Sequence, residues 1–151
     1  MARQRRVHDK PLVYRRAVAS GMIRLRPATL RAIRAGRVEK GDPVAAGEIA
    51  GLAALKQTPL LLPHCHPVPL TGSRVEIAPT PGGLRATAEV EAVYRTGVEM
   101  EALTGVAVAL LTVWDMLKYL EKDARGQYPA TRIERVRVVT KVKAAAQGSE
   151  P

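Results

Sequence analysis

Phenylalanine and asparagine are absent from this chain, and cysteine occurs once. With one Trp and four Tyr besides, there is little aromatic surface on which bases could stack, which disfavours a single-strand nucleic-acid binder. A lone cysteine excludes an internal disulfide framework and fits a reducing cytosol. No uninterrupted apolar run approaches bilayer length. The N-terminus, MARQRRVHDK, is basic but lacks the apolar stretch of a signal peptide. These absences lead to the expectation of a soluble, cytoplasmic protein. Missing Asn, abundant Arg and eleven prolines fit a heat-adapted source or a GC-rich genome, which composition does not separate.

What is present is positive charge. The 151 residues carry a formal charge of +10, and the pI is about 10.4. That implies an anionic partner, and nucleic acid, phosphorylated metabolites and plain solubility all stay open. The length suits one domain with a core of its own.

Along the chain, residues 1–12 read as a basic, weakly ordered arm, 13–144 as one α+β domain and 145–151 as a flexible tail. VYRRAVASGMIRL (13–25) alternates as a strand. ATLRAIRAG (28–36) is a short helix, with Pro27 suited to its start and Gly36 to its end. KGDPVAAGEIAGLAALKQT (40–58) is a second helix, with Asp42 as N-cap and Pro43 as first helical residue. Its Gly47 and Gly51 share a face and permit close approach of another element. SRVEIAPT (73–80) and LRATAEVEAVY (84–94) flank the turn signal PGG and form a hairpin. Residues 97–123 form the longest helix, with an apolar stripe from Leu103 through Val106, Leu110 and Leu111 to Leu117. TRIERVRVVTKVKA (131–144) is the last strand. Helices gathered on one face of an antiparallel sheet make an α+β sandwich.

Three places bear chemistry. Asp115 and Lys118 share a helix face, beside Leu111. Their spacing fits a solvent-exposed ion pair, or a paired acid and base in a cleft. Lys40 and Gly41 precede a helix N-terminus, which suits an anion site or a plain capping turn. His64, Cys65 and His66 lie between Pro63 and Pro67. A metal site there lacks further ligands. A Cys65 nucleophile lacks a base, because neighbours on an extended chain point to opposite faces. A stiff turn with Cys65 as a small apolar residue is the favoured reading of the residues alone.

Taken together, these stretches resemble a known family. KGD, AGxxAxKxT, P-x-CHP-x-x-L, TGVEMEALT and DMxK occur in an order and spacing similar to those of the cyclic pyranopterin monophosphate synthases, the molybdenum cofactor biosynthesis protein C family. The likeness spans about residues 13–140. It implies a ferredoxin-like α+β fold with helices packed on one face. It implies a lyase that rearranges 3′,8-cyclo-7,8-dihydro-GTP to cyclic pyranopterin monophosphate, releasing diphosphate without redox change. Matched motif by motif, Asp115, Lys118 and Lys40 are catalytic, and His64, Cys65, His66, Met100, Glu101, Arg15 and Lys56 bind substrate. The resemblance further implies a homohexamer, a trimer of dimers, with the site at a subunit interface. No metal at the site residues and no resident cofactor are expected, with Mg²⁺ alongside the diphosphate left open and not indicated. Membrane and nucleic-acid partners are not expected.

The chain departs from the family at its end. Many members carry Gly-Gly-Lys-Ser-Gly, whereas here Ala145 takes the lysine's place in an ungapped match and Lys141 and Lys143 are the lysines nearby. Position 64 is often apolar in the family, and the arm here is shorter and more basic. The competing expectation is a non-catalytic nucleotide- or nucleic-acid-binding relative that has lost the lysine motif.

Overall fold

The computed structural model describes residues 1–145. Its elements are β1 (Val13–Arg24), α1 (Pro27–Arg34), α2 (Pro43–Leu55), α3 (Thr58–Leu61), β2 (Leu70–Thr80), β3 (Gly83–Tyr94), α4 (Glu99–Glu121) and β4 (Arg132–Ala145). The strands form one antiparallel sheet in the order β2-β3-β1-β4, the ferredoxin-like arrangement.

The pleat decides what faces the helices. In the β1–β3 register Ala17 lies opposite Val90, Ala19 opposite Ala88 and Ile23 opposite Leu84, and all six are buried. The intervening residues (Arg16, Val18, Ser20 and Thr87, Glu89) point to the other face, which no helix covers. Pro81 and Gly82 close the β2–β3 hairpin. Gly82 takes φ +79, the left-handed conformation a Pro-Gly turn needs at its second position.

α4 lies across the sheet and α2 beside it. Its buried face runs Ala102, Gly105, Val106, Ala109, Leu110, Val113 and Leu117. Leu111, counted into the apolar stripe from spacing, is instead 57% exposed. α4 is apolar on more than one side, so periodicity alone misjudged the centre of the buried arc. The small residues Gly105 and Ala109 mark that centre because α2 sits against them. In length and composition α4 would suffice to cross a membrane, but here its apolar face covers the sheet.

The glycine face of α2 is used inside the monomer. A Cβ on Gly51 would lie 2.7 Å from the Gly105 carbonyl oxygen and 3.0 Å from the Ala109 Cβ. Backbone cannot yield as a side-chain tip can. Gly51→Ala should therefore push α2 from α4 and lower stability by about 1–3 kcal/mol, read as a fall in the urea midpoint. An unchanged midpoint would refute this account of the crossing.

The helix expected over 40–58 ends at Leu55. The Thr58 hydroxyl donates to the Leu55 carbonyl at 2.8 Å, and Thr58 and Pro59 begin the separate turn α3. The arm has neither helix nor strand, yet it is held. Gln4 Nε2 donates to the Cys65 carbonyl at 2.8 Å, and Arg95 Nη1 donates to the carbonyls of His8 and Lys10 at 3.2 and 2.5 Å. Of the expected tail, residues 146–151 lie outside the described residues.

Candidate active site

The predicted site residues fall into two groups at opposite ends of α4. The first is Lys40, Asp115 and Lys118. Gly41 turns the chain with φ +111, and Asp42 caps α2 by accepting from the N–H groups of Val44 and Ala45 at 3.0 and 3.2 Å. The helix N-terminus is thus capped internally, and Lys40 turns to α4 instead. Its Nζ donates to the Asp115 carbonyl oxygen at 3.4 Å. Lys118 Nζ lies 2.9 Å from Asp115 Oδ1. Tyr119 Oη accepts from the Glu39 N–H at 2.6 Å and pins the KGD turn to this end of the helix. Trp114 meets Tyr128 edge to face, 5.3 Å between centroids, which holds the following loop against α4.

Asp115 and Lys118 side chains are 67% and 43% exposed. The Lys118 hydrogen bond, then its charge and that of Lys40, hold the Asp115 carboxyl below the usual range. Asp115 in turn raises Lys118. Both shifts favour a resting ion pair, with the carboxylate ionised and the ammonium protonated.

The second group surrounds the start of α4. Arg15, buried on the helix-facing side of β1, donates to the Arg95 carbonyl at 3.4 Å. Its Nε finds no hydrogen-bond partner, and neither does Glu101 Oε2. Glu101 is 4% exposed. Burial first, and the charge of Glu99 after it, push its carboxyl up to about 7 against the opposing pull of a backbone N–H. Cys65 is half-buried, and its thiol is raised by burial and by Glu101. His66 is half-buried, while His64, Met100 and Lys56 are exposed. Lys56 stands at the end of α2 and makes no side-chain hydrogen bond or ion pair among the described residues. No three His, Cys, Asp or Glu side chains converge among those residues to hold a metal.

Glu99 stands in the first turn of α4, where the helix dipole favours a carboxylate. The structure pairs it with Lys141 Nζ at 2.7 Å, with Arg15 close enough to lower its carboxyl further. Lys143 lies opposite Arg15 in the β1–β4 register. Both C-terminal lysines thus stand at the Glu101 end. The available signal was the period of two from Lys141 to Lys143, which puts them on one face of the strand.

A carboxyl that titrates near 7 makes stability depend on pH. The folded state holds the Glu101 proton more tightly than the unfolded chain, whose value is near 4.5. Its contribution is greatest below that and is lost as pH rises from 4.5 to about 7. Melts at pH 5 and pH 8 should show a gap for the wild type that narrows in Glu101→Gln. An identical gap in both would disprove a buried, proton-retaining Glu101.

The sequence matches the MoaC family over residues 5–144. The chain belongs to this family. A "Probable cyclic pyranopterin monophosphate synthase" from Pyrococcus abyssi is 58% identical over 137 residues, 91% of this chain and 86% of the relative. Proteins of the same name from Archaeoglobus fulgidus and Sulfolobus acidocaldarius are 54% and 50% identical, each over 91% of this chain and 88% and 96% of theirs.

Proposed function

We propose that this member of the MoaC family is a cyclic pyranopterin monophosphate synthase, a lyase of molybdenum cofactor biosynthesis acting in the cytoplasm without a resident metal or cofactor. Identity of 50–58% over nine-tenths of the chain carries the reading. The substrate is 3′,8-cyclo-7,8-dihydro-GTP. Forming the cyclic phosphate requires a sugar hydroxyl to lose its proton, its oxygen to attack the α-phosphorus, and diphosphate to leave. Asp115 is the carboxylate that takes a proton. Lys118 and Lys40 steady the phosphates and supply charge to the leaving diphosphate. Glu101, near 7, is the group whose own proton can move at neutral pH. Arg15, Met100 and the 64–66 segment line the other side of the substrate, and Lys56 adds charge at its edge.

Asp115 and Glu101 are separated along α4 by fourteen residues, about 21 Å at 1.5 Å per residue. One substrate does not span both in one chain. The reading therefore includes an oligomer, a trimer of dimers, in which one protomer's Asp115 end meets its partner's Glu101 end.

The test is turnover of enzymatically prepared substrate, following pterin and diphosphate. Asp115→Asn and Glu101→Gln should each be inactive. Unfolded together and co-refolded, they should recover roughly a quarter of wild-type activity, because half the dimers are mixed and each mixed dimer keeps one intact site. No product from folded wild type would refute the synthase. Active wild type with no recovery on mixing would instead put the site within one chain.

A further inference from the structure

The helix-free face of the sheet carries a cavity of about 660 Å³, in the range of small-ligand sites. Arg85, Arg135 and Arg137 line it together with the hydroxyl residues Ser20 and Thr87. Ser20 lies opposite Thr87 on one side and Arg137 on the other, and the next row sets Met22 opposite Arg85. Its walls belong to the face opposite α4, and none of them is a residue of the α4 site.

Two irregularities of β4 shape this cavity. Val18 pairs with Thr140 and Ala19 with Val138, leaving Val139 extra. Ser20 pairs with Arg137 and Met22 with Glu134, leaving Arg135 and Val136 opposite Gly21 alone. Each bulge contributes a wall residue, Val139 and Arg135. Val136 packs the other way, since a Cβ on Gly21 would lie 3.0 Å from its Cγ2 and 2.9 Å from Val106 on the core side. Arg135 holds φ +57, the only non-glycine left-handed residue among those described. Glycine would take that conformation at lower cost. What arginine adds there is a guanidinium on the cavity wall.

The charges around the cavity are unbalanced. Glu134 is engaged by Arg24 and Arg132 at 2.7 and 2.6 Å, Glu89 by Arg16 at 2.8 Å, and Glu76 by Arg74. Among the described residues no carboxylate pairs with Arg85, Arg135 or Arg137. Arg85 only donates to the Thr80 hydroxyl at 3.4 Å. Three like charges around one concavity repel unless an anion lies between them, and guanidiniums bind phosphate oxygens in bidentate pairs.

We propose that this cavity is a second anion site that takes the phosphate chain of a nucleotide or an inorganic polyphosphate. The three arginines hold the phosphates and Ser20 and Thr87 donate to their oxygens. Val18, Met22 and Val139 offer apolar surface to a nucleoside. The site is independent of the acid–base pair on α4.

Titration calorimetry of the whole protein with inorganic tripolyphosphate, and separately with GTP, tests this. The variants are Arg135→Gly, Arg137→Ala and, as a control at the other site, Lys118→Ala. Arg135→Gly suits the left-handed backbone, so it removes the charge and keeps the fold, checked by its melting curve. Lys118→Ala should weaken only the binding at the α4 site, and either arginine substitution should weaken the remaining binding of tripolyphosphate at least tenfold. In Lys118→Ala, arginine-dependent binding of GTP that is tighter than that of tripolyphosphate assigns the cavity to a nucleotide, and equal binding assigns it to the inorganic chain. Wild type that binds neither at millimolar concentration overturns the proposal. So do folded arginine variants that bind as wild type does, or that change only the oligomeric state, which would make the face a subunit contact.

Discussion

Asp115→Asn should lower turnover by about 10²–10⁴-fold, the usual span for losing a general base, and leave the melting curve where it was. The two halves of that result belong together. The side chain is 67% exposed, and its partner Lys118 sits one turn away on the same helix. Exposed pairs of this kind add little to folding, so a structural role predicts almost no effect of the substitution on anything. Asparagine keeps the shape and can still accept from Lys118, but it cannot take a proton. Lys118→Ala should behave similarly in turnover, through lost phosphate contact. The measurement is steady-state kcat and KM on the prepared substrate beside thermal melts. If Asp115→Asn turns over within threefold of wild type, proton transfer is not its task. If it melts markedly lower, the pair is a structural clamp and the assignment falls with it.

The ion pair also explains why pairing alone does not make an active acid and base. In a single chain Asp115 is shifted down and Lys118 up, both away from neutrality. Their hydrogen bond and opposite charges hold the pair ionised while both side chains are open to water. Excluding that water, under a triphosphate and a second protomer, is what would bring the two affinities together. Glu101 is the opposite case. It is already dry and already near 7, but Asp115 lies fourteen residues from it along α4, about 21 Å within one chain.

Much of this arrangement was legible in the residues. Asp42 and Pro43 announce the start of α2 because a cap side chain and a fixed φ are local properties, and the cap is there with both N–H groups satisfied. The alternation in 84–94 is unbroken, and β3 follows it from Leu84 to Tyr94. Asp115 and Lys118 had to share a face by helical spacing, and they do. What was not legible depends on distant partners. Leu111 looked like core because α4 is apolar on several sides, and only the docking of α2 at Gly105 and Ala109 selects among them. The break after Leu55 needed the Thr58 hydroxyl to find a carbonyl. The Glu99–Lys141 pair joins residues 42 positions apart. The bulges of β4 leave no local signature at Arg135, a residue type that rarely adopts positive φ.

Glu121→Ala should cost roughly 3–5 kcal/mol, the combined scale of several unsatisfied buried donors and the void the side chain leaves. Glu121 is fully buried at the end of α4. One carboxylate oxygen accepts from the Thr131 hydroxyl at 2.7 Å and the other from the Thr29 hydroxyl, while both lie 3.2 Å from the Arg26 N–H. Arg26 is the N-cap of α1, and its own side chain caps nothing. Thr131 leads into β4. A single carboxylate thus supplies the acceptor for α1's start and ties α4 to the strand that carries Lys141. Alanine leaves two hydroxyls and an amide buried without an acceptor, and a void besides. Glu121→Gln keeps the volume and one oxygen but turns an NH₂ toward donors, so it should fall between. At about 2–4 °C per kcal/mol for a chain of this size, Glu121→Ala should melt on the order of 10 °C lower. Turnover measured well below that temperature should hold, because Glu121 touches none of the reacting groups. A melting loss of a degree or two would mean that water takes the carboxylate's place, and that α1 and β4 are joined to α4 by their apolar contacts alone.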